Sequence, residues 1–204
     1  MTLEDQKKFA RGSAFARRKE AFRKQNKKTC NVLLEVLAQY RGAPLAGYMP
    51  INTEIDPRPA MVKSLANGEV GVPVITKPAH PLKFAKWSPE SVMVAGAFKA
   101  QIPAVIHWMI PEIIILPVLA WDANGGRLGY GGGFYDRTLE GLRARGSVLA
   151  IGFAFNAQEA ENLPLGAHDQ TLDMIITEDR VFSVTFYLDL IGRYQLGCAL
   201  DLAL

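Results

Sequence analysis

Apolar positions in this chain fall into short blocks whose spacing switches between helical and extended. A long polar stretch over 3–24 has no proline and reads as one helix. A second follows over 29–40, with Leu33, Leu37 and Tyr40 on its apolar face, and Gly42 and Pro44 end it. Residues 45–51 then read as a strand. Residues 56–66 read as a helix with Asp56 as N-cap and Pro57 at its first position, and 70–75 as the next strand. The segment 76–107 is proline-rich and less regular, although 82–87 alternates as an edge strand would. Beyond it the β-branched run Ile113 to Leu116 predicts a buried strand punctuated by Pro117. A helix over 134–145, a strand over 148–155, a short helix over 157–162 and a strand over 172–177 complete the order.

Strands alternating with helices predict an α/β fold in a single domain. The expected sheet is mostly parallel and Rossmann-like, with helices on both faces and a basic helix at the N-terminus. Ligands of such sheets bind at the carboxyl ends of the strands. A length of 204 residues, of which 49% are hydrophobic, suits one globular core. The two cysteines form no metal or redox spacing, the N-terminus is charged, and no run has the length of a membrane span. The expected setting is therefore the cytoplasm, without a membrane partner.

Charge changes the picture at one end. Residues 1–28 carry ten Lys/Arg against three Asp/Glu, a net of +7, whereas the whole chain is only +3. Such a block reads as a solvated helix face, a nucleic-acid patch or a lid over an anionic ligand. Without aromatic interleaving or a binding motif the nucleic-acid reading has little weight, and no nucleic-acid partner is expected. Lys7, Arg11 and Arg18 share one face of the helix, as a lid over phosphates would need.

The chemistry concentrates in Arg127-Leu-Gly-Tyr-Gly-Gly-Gly-Phe-Tyr-Asp136. Four glycines (Gly129, Gly131, Gly132, Gly133) precede the helix at 134. Glycines allow close backbone approach and positive φ, and free N–H groups at a helix start favour anions. Arg127 adds a cation, and Asp136 a carboxylate able to hold a metal. The segment reads as a phosphate-and-magnesium loop. It has neither the G-x-G-x-x-G spacing nor a G-K-[ST] sequence, so the dinucleotide fingerprint and the P-loop are both excluded.

The sequence from Pro117 through this loop to Arg137 resembles the signature of the 5-formyltetrahydrofolate cyclo-ligase (5,10-methenyltetrahydrofolate synthetase) family. Lys7-xxx-Arg11 is similar to the family's N-terminal basic helix, and Asn52-Thr-Glu-Ile-Asp56 to its Glu-Ile segment. Leu163-Pro, His168-Asp169, Leu172-Asp173 and Thr177-Glu178 resemble its C-terminal signature, so the likeness spans roughly 4–180. Trp121 and Phe134 stand where the family more often has Phe and Tyr. The apolar tail 181–204 matches no family feature, which leaves packing onto the domain or a subunit contact as its readings.

The resemblance implies an enzyme that spends ATP, with Mg²⁺, to close 5-formyltetrahydrofolate into 5,10-methenyltetrahydrofolate. Arg127, Tyr135 and Asp136 would be catalytic. ATP would meet Lys7, Arg11, Arg127, Leu128, Gly129, Tyr130, Gly131, Gly132, Gly133, Phe134 and Tyr135. The folate would meet Met49, Glu54 and the same loop from Tyr130 to Tyr135, and Asp136 and Asp169 would share the metal. The protein would act as a monomer or weak homo-oligomer on these two small molecules. The rival readings are a non-catalytic ATP- or folate-binding relative and an ATP-dependent ligase or kinase for another small acceptor. Glu54 also has a structural alternative, capping the helix after it.

Overall fold

A computed structural model describes residues 1–26 and 29–184. The tail expectation therefore lies, from 185 onward, outside the described residues. The first helix, α1 (Leu3–Lys24), opens on a capping box: the Thr2 hydroxyl takes the Asp5 N–H, and the Asp5 carboxylate takes the Thr2 N–H. Then come α2 (Asn31–Leu37), β1 (Leu45–Ala46), α3 (Arg58–Ser64), β2 (Val70–Val74) and β3 (Lys83–Lys86). A hairpin of β4 (Met93–Ala95) and β5 (Gln101–Pro103) precedes β6 (Trp108–Met109) and β7 (Ile113–Pro117). A second hairpin, β8 (Ala120–Trp121) and β9 (Arg127–Leu128), leads into α4 (Phe134–Arg143). β10 (Leu149–Phe153), β11 (Met174–Ile176) and β12 (Val181–Ser183) follow.

The main sheet has the order β12-β11-β10-β7-β1-β2-β3-β6. From β11 to β2 its neighbours are parallel, while β12, β3 and β6 add antiparallel margins. Alternation along the buried strands assigns the two faces. Leu45, Ile113, Ile115, Ile151, Phe153 and Ile176 pack with Leu33 and Leu37 of α2, Ala60 and Met61 of α3, and the end of α1. Ala46, Ile114, Leu116, Ala150 and Ile175 face the other way and pack on Leu139 and Leu142 of α4. Helices thus cover both faces, as the strand–helix alternation predicts.

Several boundaries differ from expectation. The strand expected over 45–51 keeps only two residues in the ladder, because the chain turns at Asn52 (φ 54°). The N-cap of α3 is Pro57 rather than Asp56; the Asp56 carboxylate instead takes the Arg58 N–H at 2.9 Å, one residue ahead of the helix proper. The helix expected over 157–162 is a single 3₁₀ turn, Asn156–Gln158. The alternating 82–87 segment does form β3, but β6 pairs outside it and takes the margin.

Two local devices hold the loops that build the carboxyl end of the sheet. Asp122 Oδ1 accepts the N–H groups of Asn124 and Gly126, each at 2.9 Å, and so closes the β8–β9 turn with Gly125 at φ 81°. Gln158, fully buried, donates to the carbonyls of Val118 and Leu119 and accepts the Phe155 N–H at 2.8 Å. The side of α1 bearing Ala10 and Ala14 then lies on Leu119, Ala120 and Leu128 of this hairpin. No helix among the described residues is long and apolar enough to cross a membrane.

Candidate functional site

The glycine segment runs from the end of β9 into the first turn of α4. Gly131 (φ 94°) and Gly133 (φ 61°) take left-handed conformations, and Gly133 is the N-cap of α4. Only glycine occupies these at little cost. Gly133 has no side chain with which to cap α4, so the N–H groups of the helix's first turn are left to a ligand. The loop thus has the backbone conformation and uncapped helix start that a phosphate cradle would need.

Arg11 and Arg127 flank the glycine segment, and Lys7 lies one turn before Arg11 on the same helix. Arg11, from α1, donates through Nε to the Gly129 carbonyl at 3.0 Å, and its guanidinium lies 3.3 Å from where a Cβ on Gly131 would stand. Arg127 is buried, bonds the Gln170 carbonyl through Nη1, and pairs with Asp136 Oδ1 at 2.7 Å. Lys7, also buried, pairs with Asp169 Oδ2 at 2.6 Å. The inward stripe of α1 is Lys7, Ala10, Arg11, Ala14, Arg17, Arg18, Ala21 and Phe22, while Phe9 is 78% exposed. The plain solvated-face reading of Lys7 and Arg11 does not hold, because this helix docks by its basic side.

Each carboxylate expected to hold a metal is anchored through one oxygen. Asp136 accepts Arg127 and the Gln170 N–H (3.0 Å) on Oδ1; Asp169 accepts Lys7 and the Gly166 N–H (2.6 Å) on Oδ2. Burial pushes Asp169 up, but the Gly166 N–H, Lys7 and the Arg127 charge outweigh that and hold it below the ordinary carboxylate range. Among the described residues no three His, Cys, Asp or Glu side chains cluster as a protein-only metal cage. Two carboxylates within the field of Arg127 are the kind of donor that Mg²⁺ takes, one or two at a time with water and phosphate completing its shell.

A buried polar group adjoins the loop. Glu54 is 4% exposed and accepts the Ile51 N–H on Oε2 at 2.8 Å, closing the turn after β1. It caps no helix, which removes that alternative. Burial raises its carboxyl, although the Ile51 N–H, the Arg18 charge and the Tyr130 hydroxyl hold it back. Tyr135, half-buried at the start of α4, lies within the fields of both Glu54 and Arg127, and burial lifts its phenol far above the usual range. Met49 packs at the margin of the core. Phe134 stacks under Arg137, whose guanidinium is 5.5 Å from its ring, and Phe98 meets it edge-on at 6.1 Å. Leu128 is buried in β9, packs with Ala14, Leu119 and Ala120, and accepts the Leu119 N–H on its carbonyl.

Four contributors received no site assignment from the sequence. Arg18 is almost fully buried beneath Tyr130, and its only signal was the helical face shared with Lys7 and Arg11. Arg137 donates to the Gly132 carbonyl at 2.5 Å and so braces the loop from α4. Gln170 ties Arg127 and Asp136 together through its backbone. Phe98 arrives on the β4–β5 hairpin, whose short strands carry no periodic signal.

Comparison with known proteins gives the family and the fold. The model of the 5-formyltetrahydrofolate cyclo-ligase family matches residues 5–178. The 5-formyltetrahydrofolate cyclo-ligase of Haemophilus influenzae is 34% identical over 141 residues, which cover 64% of this chain and 73% of that protein. The protein of the same name from Escherichia coli K12 is 30% identical over 149 residues, covering 68% and 79%. Among solved structures, the 5,10-methenyltetrahydrofolate synthetase of Aquifex aeolicus superposes with a TM-score of 0.70 at 26% identity, covering 91% of this chain and 96% of that one. A synthetase from Mycoplasma pneumoniae shares the fold with a TM-score of 0.62 at 19% identity, covering 87% and 99%.

Proposed function

Since this chain belongs to the 5-formyltetrahydrofolate cyclo-ligase family, we propose that it converts 5-formyltetrahydrofolate and ATP into 5,10-methenyltetrahydrofolate, ADP and phosphate. One observation carries the reading beyond the family: the uncapped glycine start of α4 faces Arg11 and Arg127 beside a buried acid, Glu54. This arrangement supports phosphate chemistry beside recognition of a donor-rich ring.

The formyl oxygen is a poor leaving group until phosphorylated. It takes the γ-phosphoryl group of ATP, N10 of the folate attacks the activated carbon and releases its proton to solvent, and the C–O bond breaks as phosphate leaves. Such transfer asks chiefly for positioning and neutralisation of charge. The backbone N–H groups of Gly129 to Gly133 hold the phosphates, with Lys7, Arg11 and Arg127 balancing their charge. Glu54 receives the N–H donors of the pterin, with Met49, Phe134 and Tyr135 as apolar walls. Asp136 and Asp169 would hold a Mg²⁺ ion, which when bound neutralises the phosphate oxygens.

In this geometry the cations are already matched to those carboxylates, Lys7 to Asp169 and Arg127 to Asp136. Nucleotide binding is then an exchange of partners rather than the filling of an uncompensated positive hole, which keeps both charges paired throughout. We place the activity in the cytoplasm.

The test is an absorbance assay with purified protein, since methenyltetrahydrofolate absorbs in the near ultraviolet and the substrate does not. Growth of that signal only with both ATP and Mg²⁺ is the expected result. A flat trace from folded protein that still binds ATP would move the reading to another acceptor.

A further inference from the structure

Arg18 is the most deeply buried charged side chain of α1, with its side chain 1% exposed. Its guanidinium joins two segments that are far apart in sequence. Nε donates to the Thr53 hydroxyl at 3.1 Å, beside Glu54 in the turn after β1. Nη2 donates to the Tyr130 hydroxyl at 2.7 Å, in the glycine loop, and the cation sits 5.4 Å from the centre of that same ring. The Phe15 ring, from α1, lies beside that of Tyr130 and 5.5 Å from the same cation.

The remaining nitrogen is the informative one. Nη1 is buried and has no hydrogen-bond acceptor among the described residues. The acid facing it is Glu54, whose Oε1 stands 3.9 Å away, within ion-pair range but too far for a hydrogen bond. An unsatisfied buried donor is costly, and one to a carboxylate is among the strongest when satisfied. A displacement of about 1 Å brings this pair to bonding distance. The arrangement therefore favours any event that brings Glu54 and the guanidinium together while Tyr130 keeps its bond.

We propose that Arg18 is a positioning residue that couples the glycine loop to Glu54, so that nucleotide binding strengthens folate binding and the reverse. This rests on the function proposed above. Shielded from solvent, Arg18 acts through its neighbours rather than on a substrate. A nucleotide that orders Gly129 to Gly133 fixes Tyr130; Tyr130 fixes the guanidinium; and the guanidinium sets the oxygen of Glu54 that meets the pterin. Coupling of this kind is reciprocal by thermodynamic necessity.

The experiment is calorimetry of 5-formyltetrahydrofolate binding, with and without a non-hydrolysable ATP analogue. The proteins compared are the unaltered chain, Tyr130→Phe, Thr53→Val and Arg18→Lys. In the unaltered protein the analogue should tighten folate binding about tenfold, within the usual range of coupling between sites. Thr53→Val removes only the hydroxyl that holds Nε, so each ligand should still bind alone while the enhancement falls below about twofold. Tyr130→Phe, whatever it costs either ligand alone, should show the same loss of enhancement. Arg18→Lys should lose it as well. If Arg18→Lys does not fold, the two hydroxyl deletions decide the question unaided. An enhancement that survives Tyr130→Phe, or is missing from the unaltered protein, overturns the coupling role. Failure of the unaltered protein to bind 5-formyltetrahydrofolate at all sinks the proposed function along with it, and so separates the two failures.

Discussion

Lys7 and Asp169 meet at 2.6 Å although 162 positions separate them, and their contact fastens the first turns of α1 to the loop before β11. The same loop supplies the Gly166 N–H to Asp169 and the Gln170 groups to Arg127 and Asp136. The cation expected on the phosphates and the carboxylate expected on the metal therefore neutralise each other across the fold. Replacing Lys7 by Met should weaken ATP binding about tenfold, the loss of one charge-assisted contact. It should leave folate binding alone much less affected. Titration of each ligand by calorimetry checks this, and an equal loss on both sides would mean that the pair serves only to dock the helix.

Acid should loosen the same contact. Asp169 is held below its ordinary value of 3.8, so in the folded protein it gives up its charge later than in the unfolded chain. The stability it contributes is fully present above that ordinary value and is lost as the pH falls through the lower folded value. Proteolysis within 3–24, or exchange of the α1 amides, should accelerate below about pH 4, and Asp169→Asn should bring the acceleration to neutral pH. Unchanged α1 protection in Asp169→Asn would remove this carboxylate as an anchor.

For Asp136, substitution by Asn keeps one oxygen to accept the Gln170 N–H and the Arg127 guanidinium. The fold should survive, with a melting temperature within a few degrees of the original. Turnover should fall by a factor of a hundred or more if the lost charge holds the ion. Dependence of ATP affinity on Mg²⁺ concentration gives a readout separate from turnover. An unaltered dependence, with near-normal activity at saturating Mg²⁺, returns Asp136 to the ordinary role of an acid near a helix N-terminus.

How much of this was written plainly in the sequence differs from element to element. The strand Ile113–Pro117 was legible because a continuous β-branched run has no reason to exist unless both sheet faces are covered. The glycine loop was legible because Gly131 and Gly133 need positive φ, and few other residues could stand there. The β8–β9 hairpin was not, since strands of two residues have no period to detect. Its stability comes instead from the Asp122 turn and from packing under α1. Leu45 to Ile51 was read too long because an extended chain leaving a sheet looks like a strand until the turn at Asn52 is known. Arg18 was hidden for a different reason. A basic residue on a helix usually faces water, and only the partners at Thr53, Tyr130 and Glu54 show that this one faces inward.

The glycines give a graded series. A Cβ on Gly129 would meet nothing within 4 Å, whereas one on Gly133 would stand 2.8 Å from Arg137 Nη1 in a left-handed backbone. Gly133→Ala should therefore cost about 1–2 kcal/mol through backbone strain alone. Gly129→Ala should stay within about 0.5 kcal/mol of the original. Chemical denaturation of the two variants measures the difference directly. Equal stabilities would show that the loop relaxes freely and is not held in the conformation described.

Glu54 should show the opposite pH behaviour to Asp169. Burial raises its carboxyl above the ordinary value of 4.5, so the folded protein takes up a proton there more readily than the unfolded chain. Stability associated with the protonated form is complete below that value and is lost as the pH rises through the higher folded one. At neutral pH the folded protein thus bears the cost of a buried charge, only partly offset by Arg18 at 3.9 Å. Glu54→Gln removes the cost while keeping an acceptor for the Ile51 N–H. The variant should melt higher than the original at pH 7, with the advantage shrinking toward pH 4. Its KM for 5-formyltetrahydrofolate should rise at least tenfold, and far more than its KM for ATP, because an amide oxygen is a weaker acceptor for the pterin donors than a carboxylate. Thermal melts at the two pH values together with the pair of KM measurements test the assignment. A variant that melts lower at pH 7, or whose defect falls on ATP alone, would show that Glu54 is kept for the fold and not for the substrate.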